Sequence, residues 1–278
     1  MKTADKIRLA RAAYKLVRFG LRLVGKNDRA SVVRGQVRFD LELSEGIDFA
    51  IFIGAFERAT QRALSKLVKS SSTVLDIGAN VGAHTLLLAK LVGEKGRVLA
   101  FEPTDFAYGK LSHNLALNPE LAARVRAFQC FLTVENNVAV PSTIYSSWPL
   151  VARGETHAKH LGREMPTASA SSRSLDSVLR EAGVKNVDLV KLDVDGYECD
   201  VLRGASTVLT KMRPIFVMEL APYVLQERGA SLEELISIFI GSGYQFFDER
   251  TGQALPSAAA QLRKLIGDGE SRNVIART

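Results

Sequence analysis

The sequence predicts a doubly wound α/β fold, with a mostly parallel seven-stranded sheet and helices on both of its faces. Seven short apolar runs have the length and composition of buried strands: residues 73–77, 97–101, 124–129, 188–193, 214–220, 244–248 and 273–276. Helical patterns of about ten residues or more separate most of these runs, which is typical of βαβ units and of a parallel sheet. A chain of 278 residues can bury the core of one such domain and still carry a small appendage.

The remaining elements follow in chain order. Helical periodicity predicts helices over residues 56–69, 82–92, 105–117, 174–182, 198–209 and 231–242. A β-like stretch at 32–43 precedes them and ends in turn-forming residues at 44–48. Residues 136–172 have neither periodicity, and we interpret them as an insertion at the ligand-binding edge, where such segments often form lids. We therefore expect three parts: a basic amphipathic helix (1–30), an entry or cap segment (31–72), and the main domain (73–278) with its insertion.

The net charge of +7 comes from residues 1–29. This segment holds nine basic and two acidic side chains, whereas the rest of the chain carries 28 of each sign. Its basic residues recur every three or four positions beside an apolar stripe, which predicts an amphipathic helix. Such a helix could dock on the domain with a solvated basic face, lie on anionic lipid, or contact nucleic acid or a dimer partner. The balanced charge elsewhere argues against nucleic acid as a partner of the core.

The cysteine usage and the apolar runs bear on location. Cys130 and Cys199 fit reduced thiols in a cytoplasmic protein better than a secreted disulfide framework. The longest apolar run, residues 49–56, is far shorter than the roughly 20 residues of a membrane-spanning helix. The charges in residues 1–29 also interrupt the apolar stretch that a signal peptide needs. We therefore expect a cytoplasmic protein, with peripheral contact at the inner membrane face as the alternative for residues 1–29.

Residues 73–85, T-V-L-D-I-G-A-N-V-G-A-H-T, combine a strand, a glycine turn and the start of a helix. Ligands of open α/β sheets bind at the carboxyl end of such a strand. Gly78 and Gly82 would let a ligand approach the backbone, and the amides of the helix start favour a carboxylate or phosphate. Asn80 stands where a G-x-G-x-x-G dinucleotide motif has its second glycine. Asp76 suits an ammonium or sulfonium group better than a pyrophosphate, so the turn favours a positively charged ligand.

The second strand ends in V-L-A-F-E-P, which places Glu102 and Pro103 beside this turn. A carboxylate at this position is suited to a ribose diol. Asp76 and Glu102 around a glycine turn together match S-adenosylmethionine, which presents an amino group, a carboxylate and two ribose hydroxyls. We predict this cofactor. His84 lies in the first helical turn, where we expect local helix contacts or a contact with the methionine end of the cofactor rather than proton abstraction.

Three segments resemble the FkbM family of S-adenosylmethionine-dependent methyltransferases: V-L-D-I-G-A-N-V-G-A-H-T at 74–85, R-V-L-A-F-E-P at 97–103, and D-L-V-K-L-D-V-D-G-Y-E-C-D-V-L-R-G-A at 188–205. Residues 41–57 resemble the entry segment of that family. The resemblance implies a Rossmann-like class I methyltransferase fold and methylation of a hydroxyl on a sugar or polyketide-type molecule. It also implies that the cofactor is bound by Asp76, Gly78, Asn80, Gly82, Glu102 and Glu57. Where the family commonly has a Ser-Asp pair near adenine, this chain reads C-F-L-T at 130–133.

Acidic residues also follow the fourth and fifth strands of the main domain. Asp193 should lie across the crevice from Gly78, and since a sugar hydroxyl must lose its proton during methylation, we predict Asp193 as the general base. Glu219 should reach the same edge, where it either orients the acceptor or caps its strand in solvent. Asp195 either contacts the acceptor or forms a capping box with Glu198 at the start of a helix.

The insertion adds further candidates. Trp148 either stacks on a sugar ring or anchors the insertion, and His157 and His160 fit a solvated loop better than a metal site. We predict no resident metal; Mg²⁺ held by Asp193, Glu219 and a substrate diol is an alternative that we do not favour.

These features together favour an O-methyltransferase that acts on a hydroxyl of a carbohydrate or related small molecule. The alternatives are an RNA methyltransferase, although the N/D-P-P-aromatic signature of base-amine methylation is missing, and a non-catalytic protein that binds S-adenosylmethionine. The acceptor's identity and the oligomeric state stay open.

Overall fold

The computed structural model of the chain describes residues 3–151 and 162–278. The helices are α1 (Thr3–Leu23), α2 (Gly46–Phe52), α3 (Arg58–Leu67), α4 (Ala83–Leu91), α5 (Asp105–Ala116), α6 (Pro119–Ala122), α7 (Leu175–Glu181), α8 (Glu198–Arg203), α9 (Pro222–Glu227), α10 (Leu232–Gly241) and α11 (Ala259–Lys264). The strands are β1 (Arg29–Arg34), β2 (Val37–Glu42), β3 (Thr73–Ile77), β4 (Arg97–Phe101), β5 (Val125–Phe128), β6 (Cys130–Leu132), β7 (Thr143–Ser147), β8 (Arg163–Pro166), β9 (Ser171–Arg173), β10 (Leu189–Leu192), β11 (Ile215–Leu220), β12 (Gln245–Asp248) and β13 (Arg272–Arg277).

Within these ranges, the central sheet has seven strands in the order β12-β13-β11-β10-β3-β4-β5. Strands β11, β10, β3, β4 and β5 pair in parallel, and β13 runs antiparallel to both β11 and β12. Strands β3 and β4 have the predicted bounds, and the other five differ from the prediction by one residue at one or both ends. The predicted fold class is therefore confirmed, including its mostly parallel sheet.

Apolar side chains alternate between the two faces of this sheet. On one face, Val190 and Leu192 of β10 belong to a core shared with α7, α8, α10 and α11. On the other face, Leu189 of β10 packs with Leu64 of α3 and Leu88 of α4. Because successive residues of a strand point to opposite faces, both faces of β10 are covered by helices. Lys191 therefore shares the α3–α4 face with Leu189, as the predicted alternation requires.

The N-terminal segments differ from the predicted pattern in two places. The single β-like stretch at 32–43 is a hairpin of β1 and β2, because Gly35 and Gln36 both adopt positive φ (56° and 71°) and reverse the chain. The turn-forming residues 44–48 instead lead into α2, whose Phe49 and Ile51 are buried in a core with Leu43. Burial of this apolar face outweighs the local turn chemistry of the residues before it.

The second half of the chain adds two further differences. The predicted helix over 198–209 ends at Arg203 in α8, and a π-helical turn follows at Val208–Met212. The insertion at 136–172 is not free of regular structure, because β7 and β8 pair antiparallel and bury Ile144 and Met165. Residues 152–161 of the insertion, including His157 and His160, lie outside the described residues.

The predicted N-terminal helix is present as α1, and its apolar side packs on the domain. Tyr14 is 2% exposed, lies edge-on to Phe49 with 5.8 Å between ring centroids, and donates a hydrogen bond to Asp28 over 2.7 Å. The docking expected of this helix is therefore present, and α1 belongs to the same core as α2 and β2. Among the described residues, no helix has the length and apolar character needed to cross a membrane. The division of the chain at residues 30 and 72 stays a prediction.

Candidate functional site

Two adjoining cavities lie at the carboxyl ends of β3, β4 and β10. The larger, of about 650 Å³, is bounded by the turn after β3, by Glu102 and Pro103 after β4, and by β6. Helices α1 and α2 and residues 144–150 form its other walls. The smaller, of about 380 Å³, extends towards β11 and β13. Both cavities are lined by Glu57, Trp148, Lys191, Asp193 and Asp195.

The turn after β3 is shaped by contacts with the protein's own backbone. Gly78 has φ of 80°, and a Cβ at this position would lie 1.7 Å from the carbonyl oxygen of Asp193. Gly82, the N-cap of α4, has φ of 86°, and its Cβ would lie 2.7 Å from Leu111 Cδ1. These glycines therefore permit close packing of the turn against β10 and α5. The sequence analysis instead expected glycine at these two positions because a ligand approaches the backbone there.

Asn80 and Glu102 join this turn to the end of β4. The backbone N–H of Asn80 donates to Glu102 Oε2 over 2.9 Å, and the Asn80 side-chain oxygen accepts from the Val81 N–H over 2.9 Å. Glu102 Oε1 accepts from both the N–H (2.9 Å) and the hydroxyl (2.6 Å) of Thr104. Burial raises the pKa of Glu102, although these hydrogen bonds oppose the shift. The Glu102 carboxyl group is thus held in one orientation at the wall of the larger cavity, next to Pro103.

Asp76 does not lie where the sequence prediction placed it. Its side chain is fully buried, does not line either cavity, and accepts a hydrogen bond from the Thr85 hydroxyl over 2.6 Å. Asp76 precedes the last residue of β3 and is paired in register with Lys191 of β10, whose Nζ lies 3.9 Å from Asp76 Oδ1. Asp76 Oδ1 has no hydrogen-bond partner among the described residues, and a direct contact between Asp76 and a ligand stays a prediction.

Lys191 lines both cavities, although sequence reasoning assigned it no role. Its Nζ donates to the Gly78 carbonyl oxygen over 3.0 Å and lies 3.3 Å from Asp193 Oδ2. Burial lowers the pKa of Lys191, but the carboxylates of Asp193, Asp76 and Glu57 outweigh it and leave the pKa above its ordinary value. The ammonium group therefore carries its charge between two carboxylates. A lysine in the middle of an otherwise apolar buried strand was the available signal in the sequence.

Asp195 and Glu198 follow β10 and have different environments. Asp195 adopts a left-handed conformation with φ of 49° and lines both cavities. Burial, and then the charges of Asp193, Glu198 and Glu219, raise the pKa of Asp195 well above its usual range. Burial also raises the pKa of Glu198 to about 7.

The predicted capping box between Asp195 and Glu198 is wrong. The N-cap of α8 is Tyr197, which is two residues after Asp195. Glu198 does reach back along the chain, but it accepts from the N–H groups of Val194 (3.2 Å) and Gly196 (3.3 Å). Asp195 is thus left facing the cavities, and the turn that holds it is fixed by Glu198.

Asp193 and Glu219 lie at the same edge of the sheet, as predicted. The Asp193 side chain is 34% exposed and borders both cavities, whereas Glu219 borders the smaller one and accepts a hydrogen bond from the Ser271 hydroxyl. Over residues 3–151 and 162–278, no group of three or more His, Cys, Asp or Glu side chains is arranged to hold a metal ion.

A model of the methyltransferase FkbM domain matches residues 76–246, which is more than half of the chain and includes the glycine turn, Glu102, Lys191 and Asp193 of this site but not Glu57. The chain belongs to the FkbM methyltransferase family. The family resemblance noted for the sequence motifs is therefore confirmed. The observed sheet, with its antiparallel β13, is the class I methyltransferase fold that this resemblance implied.

Curated relatives match this FkbM chain over about half of its length. Methyltransferase sdnD of Sordaria araneosa is 30% identical over 49% of this chain and 61% of its own length. The 2-O-methyltransferase NoeI of Sinorhizobium fredii is 29% identical over 56% of this chain and 66% of its own length. Hexuronic acid methyltransferase AglP of Haloferax volcanii is 24% identical over 58% of this chain and 61% of its own length. The chain thus spans about three-fifths of the length of the curated relatives it matches.

A crystal structure of an FkbM methyltransferase from Methylobacillus flagellatus is 16% identical to this chain. The similarity covers 77% of this chain and 48% of that chain, with a TM-score of 0.44.

Glu57 and His84 form a polar pair on the wall of the larger cavity. Glu57 adopts a left-handed conformation at the start of α3, with φ of 34°, and its Oε2 lies 2.7 Å from His84 Nε2. The Phe56 ring packs on His84 with 5.0 Å between centroids. His84 Nδ1 is buried and has no hydrogen-bond partner within the described ranges. The local contacts expected of His84 are therefore present, and Glu57 is brought to the cavity through them.

Trp148 lies between the two cavities and borders both. Its carbonyl oxygen accepts from the Gly46 N–H over 2.9 Å, which ties the insertion to α2. Its indole Nε1 is buried without a hydrogen-bond partner in the part of the chain that the structure describes. The backbone contact agrees with an anchoring role, and stacking on a sugar stays a prediction.

Proposed function

We propose that this protein is an S-adenosylmethionine-dependent O-methyltransferase that methylates a hydroxyl group of a carbohydrate or related small molecule. Membership of the FkbM family and the names of NoeI and AglP support the reaction and the acceptor class. The observation that carries the proposal is the meeting of the two cavities at Lys191, Asp193 and Asp195. This arrangement can bring a cofactor in the larger cavity next to a polar acceptor in the smaller one.

The residues of the larger cavity fit S-adenosylmethionine, which supplies an electrophilic methyl group on a sulfonium when it is bound. A cavity of about 650 Å³ lies within the usual range for small-molecule sites. The oriented Glu102 carboxyl group would accept hydrogen bonds from ribose hydroxyls, with Pro103 beside it. The amides in the first turn of α4 lack acceptors within the helix and would bind the cofactor's carboxylate.

Glu57, which His84 holds towards the larger cavity, would bind the cofactor's ammonium group. Gly78, Asn80 and Gly82 shape the turn, while Asp76 acts on the site through Lys191. The cofactor residues predicted from the sequence all enter this proposal, with Asp76 buried beside Lys191 and next to the cavity wall.

Asp193 is the proposed general base. A hydroxyl in the smaller cavity could hydrogen-bond to Asp193, which would take up the proton as the oxygen is methylated. Asp195, with its raised pKa, would bind the acceptor alongside it, and Glu219 and Trp148 would contact other parts of the same molecule. Neutral hydroxyl groups suit this cavity because Glu57, Asp193, Asp195, Glu219 and Glu249 all border it. No step of this proposal requires Mg²⁺.

The proposed location is the cytoplasm, with peripheral contact at the inner membrane face through residues 1–29. The two cysteines, Cys130 and Cys199, are buried free thiols, which supports a reducing compartment. The excess of basic residues in the first 29 supports attraction to an anionic leaflet.

Calorimetry with S-adenosylmethionine tests the cofactor, and transfer of a radiolabelled methyl group to a panel of glycans, polyols and RNA tests the acceptor. We expect binding by the wild-type protein, weaker binding by Glu102→Gln, and labelled glycans or polyols that yield a base-stable methyl ether. Binding of nicotinamide dinucleotides in place of S-adenosylmethionine would overturn the cofactor assignment. Cofactor binding with label only in RNA would overturn the acceptor class, and binding with no transfer to any hydroxyl compound would favour a non-catalytic role.

A further inference from the structure

Helix α1 exposes large apolar side chains although it is already docked by its other side. Leu9, Leu16, Phe19 and Leu23 are 66%, 76%, 65% and 72% exposed, respectively, and we call these four residues the outer stripe. Positions 9, 16 and 23 are two turns apart along the helix, and position 19 lies on the same side. Tyr14 of the docked side is 2% exposed. The outer stripe is therefore a second apolar surface that the fold of this chain leaves in water.

Basic side chains run alongside the outer stripe. Arg8, Lys15 and Arg22 are exposed and also recur every seven residues, each one position before a leucine of the stripe. Lys26 continues the exposed basic surface beyond the end of α1. Asp5 is the single acidic residue in the sequence of this helix. The exposed surface is thus both apolar and strongly positive.

Arg11 and Arg18 of α1 contact residues outside the helix. Arg11 Nη2 donates to the Pro149 carbonyl oxygen over 3.1 Å, and Arg18 lies 3.5 Å from Asp28. These contacts fix the rotation of α1 on the domain. Because the helix cannot turn its outer stripe inwards without breaking them, the exposure of the stripe is a property of the folded chain.

We propose that the outer stripe and the basic residues Arg8, Lys15 and Arg22 form a surface that docks on anionic lipid bilayers. The leucine and phenylalanine side chains would enter the boundary between headgroups and acyl chains, and the three basic groups would contact lipid phosphates. An apolar protein partner would account for the stripe but not for the charges beside it, and a nucleic acid would account for the charges alone. An anionic membrane surface is complementary to both.

The docking surface is next to the larger cavity. Leu9 belongs to the outer stripe and also lines that cavity. Ile53, which is outside the stripe and 47% exposed, lines the cavity as well. A protein docked through α1 would therefore hold this wall of the cavity against the bilayer. Membrane docking itself does not depend on the methyl-transfer reaction, so it can be tested without substrate or cofactor.

Co-sedimentation of the full chain with vesicles tests the proposal. We expect binding to vesicles of phosphatidylcholine with 30% phosphatidylglycerol (about one third anionic lipid) and little binding to phosphatidylcholine alone. Since each basic residue near an anionic leaflet contributes roughly fivefold in affinity, Lys15→Glu with Arg22→Glu should weaken binding by about 25-fold or more. Leu16→Gln with Phe19→Gln and Leu23→Gln should weaken it by about tenfold or more.

Control variants use exposed residues elsewhere on the surface. Lys66→Glu with Lys95→Glu changes the net charge by the same amount, and Ile240→Gln with Leu265→Gln removes exposed apolar groups. Both control pairs should leave vesicle binding unchanged, and all variants should melt cooperatively near the wild-type temperature.

Three results would overturn the proposal. The first is equal binding to neutral and anionic vesicles, or none to either. The second is a loss of vesicle binding in the control variants that is as large as the loss in the α1 variants. The third is a dimer in sedimentation velocity that the Leu16, Phe19 and Leu23 substitutions dissociate, because a second copy of the chain would then cover the stripe.

Discussion

The carbonyl oxygen of Asp193 occupies the space in which a side chain at Gly78 would begin, since a Cβ there would lie 1.7 Å from it. The two residues are 115 positions apart, and adjacent strands β3 and β10 bring them together. The turn that borders the larger cavity is therefore packed directly against the segment that carries Asp193. The geometry of the predicted cofactor site and that of the proposed general base depend on each other.

Substitution of Gly78 by alanine should destabilise the protein by about 3 kcal/mol or more, because the new Cβ meets a backbone atom and φ is 80°. Urea denaturation measures the free energy of unfolding. Gly109→Ala is the matched control: Gly109 lies inside α5, and a Cβ added there would meet no neighbouring atom within 4 Å, so alanine should stabilise by about 0.5–1 kcal/mol. Equal effects of the two changes would contradict this explanation.

Replacement of Lys191 by methionine should cost about 3–5 kcal/mol of stability, because Asp76 would stay buried without its ionic partner. The double variant Lys191→Met with Asp76→Asn should recover part of this loss, since no uncompensated buried charge then remains at position 76. A double-mutant cycle from urea denaturation gives the coupling energy between the two residues. Strictly additive single effects would argue against an ionic link between Lys191 and Asp76.

The stability of the protein should fall as the pH rises from about 4.5 to 7, partly because of Glu198. Its pKa is raised from 4.5 to about 7 in the folded state, so the folded protein holds a proton that the unfolded chain releases. This residue alone should account for about 3 kcal/mol over that interval. Glu198→Gln keeps an acceptor for the Val194 and Gly196 N–H groups and should flatten the decline. The readout is the urea midpoint at pH 5 and pH 8.

Glu120→Gln, which replaces an exposed acid on α6, is the control for this measurement and should leave the pH dependence as it is. If the stability of Glu198→Gln fell with rising pH as much as that of the wild type, the Glu198 carboxyl group would not be the group responsible.

If Asp193 is the general base, Asp193→Asn should lower kcat by roughly 10²–10⁴-fold with little change in the dissociation constant of S-adenosylmethionine. Steady-state kinetics and calorimetry separate these two quantities. Asp200→Asn, on the outer side of α8, serves as the control. A normal kcat in Asp193→Asn would move the role of base to another residue of the smaller cavity, with Asp195 the first to examine.

The strands of the central sheet could be predicted closely because their apolar runs are short, buried on both faces and bounded by polar residues. Helix α2 was missed because S-E-G-I-D reads locally as a turn, whereas the decisive factor is the burial of Phe49 and Ile51 against distant parts of the chain. The β7–β8 hairpin was missed for a similar reason, since its strands have weak patterns and are stabilised by each other.

The site was predictable as a set of residues but not as a set of contacts. The glycine turn, Glu102 and Asp193 carry recognisable motifs, and the structure brings them to one cavity wall. The reason for Gly78 lies in a contact with Asp193, which no local pattern contains. The environment of Asp76 depends on the register between β3 and β10, and this register places Lys191 beside it.

The burial of Tyr14 has a practical consequence for anyone who shortens this chain. Removal of the first 29 residues would strip the aromatic cover from Phe49, delete Ile7, Leu9, Ala10 and Ala13 from the cavity wall, and leave the Pro149 carbonyl without Arg11. If a truncated protein lost ligand or membrane binding, the damage to its core and cavity would explain the loss. The result would not show whether the charge of residues 1–29 or a contact with lipid matters. Point substitutions on the solvent side of the helix are the cleaner tool.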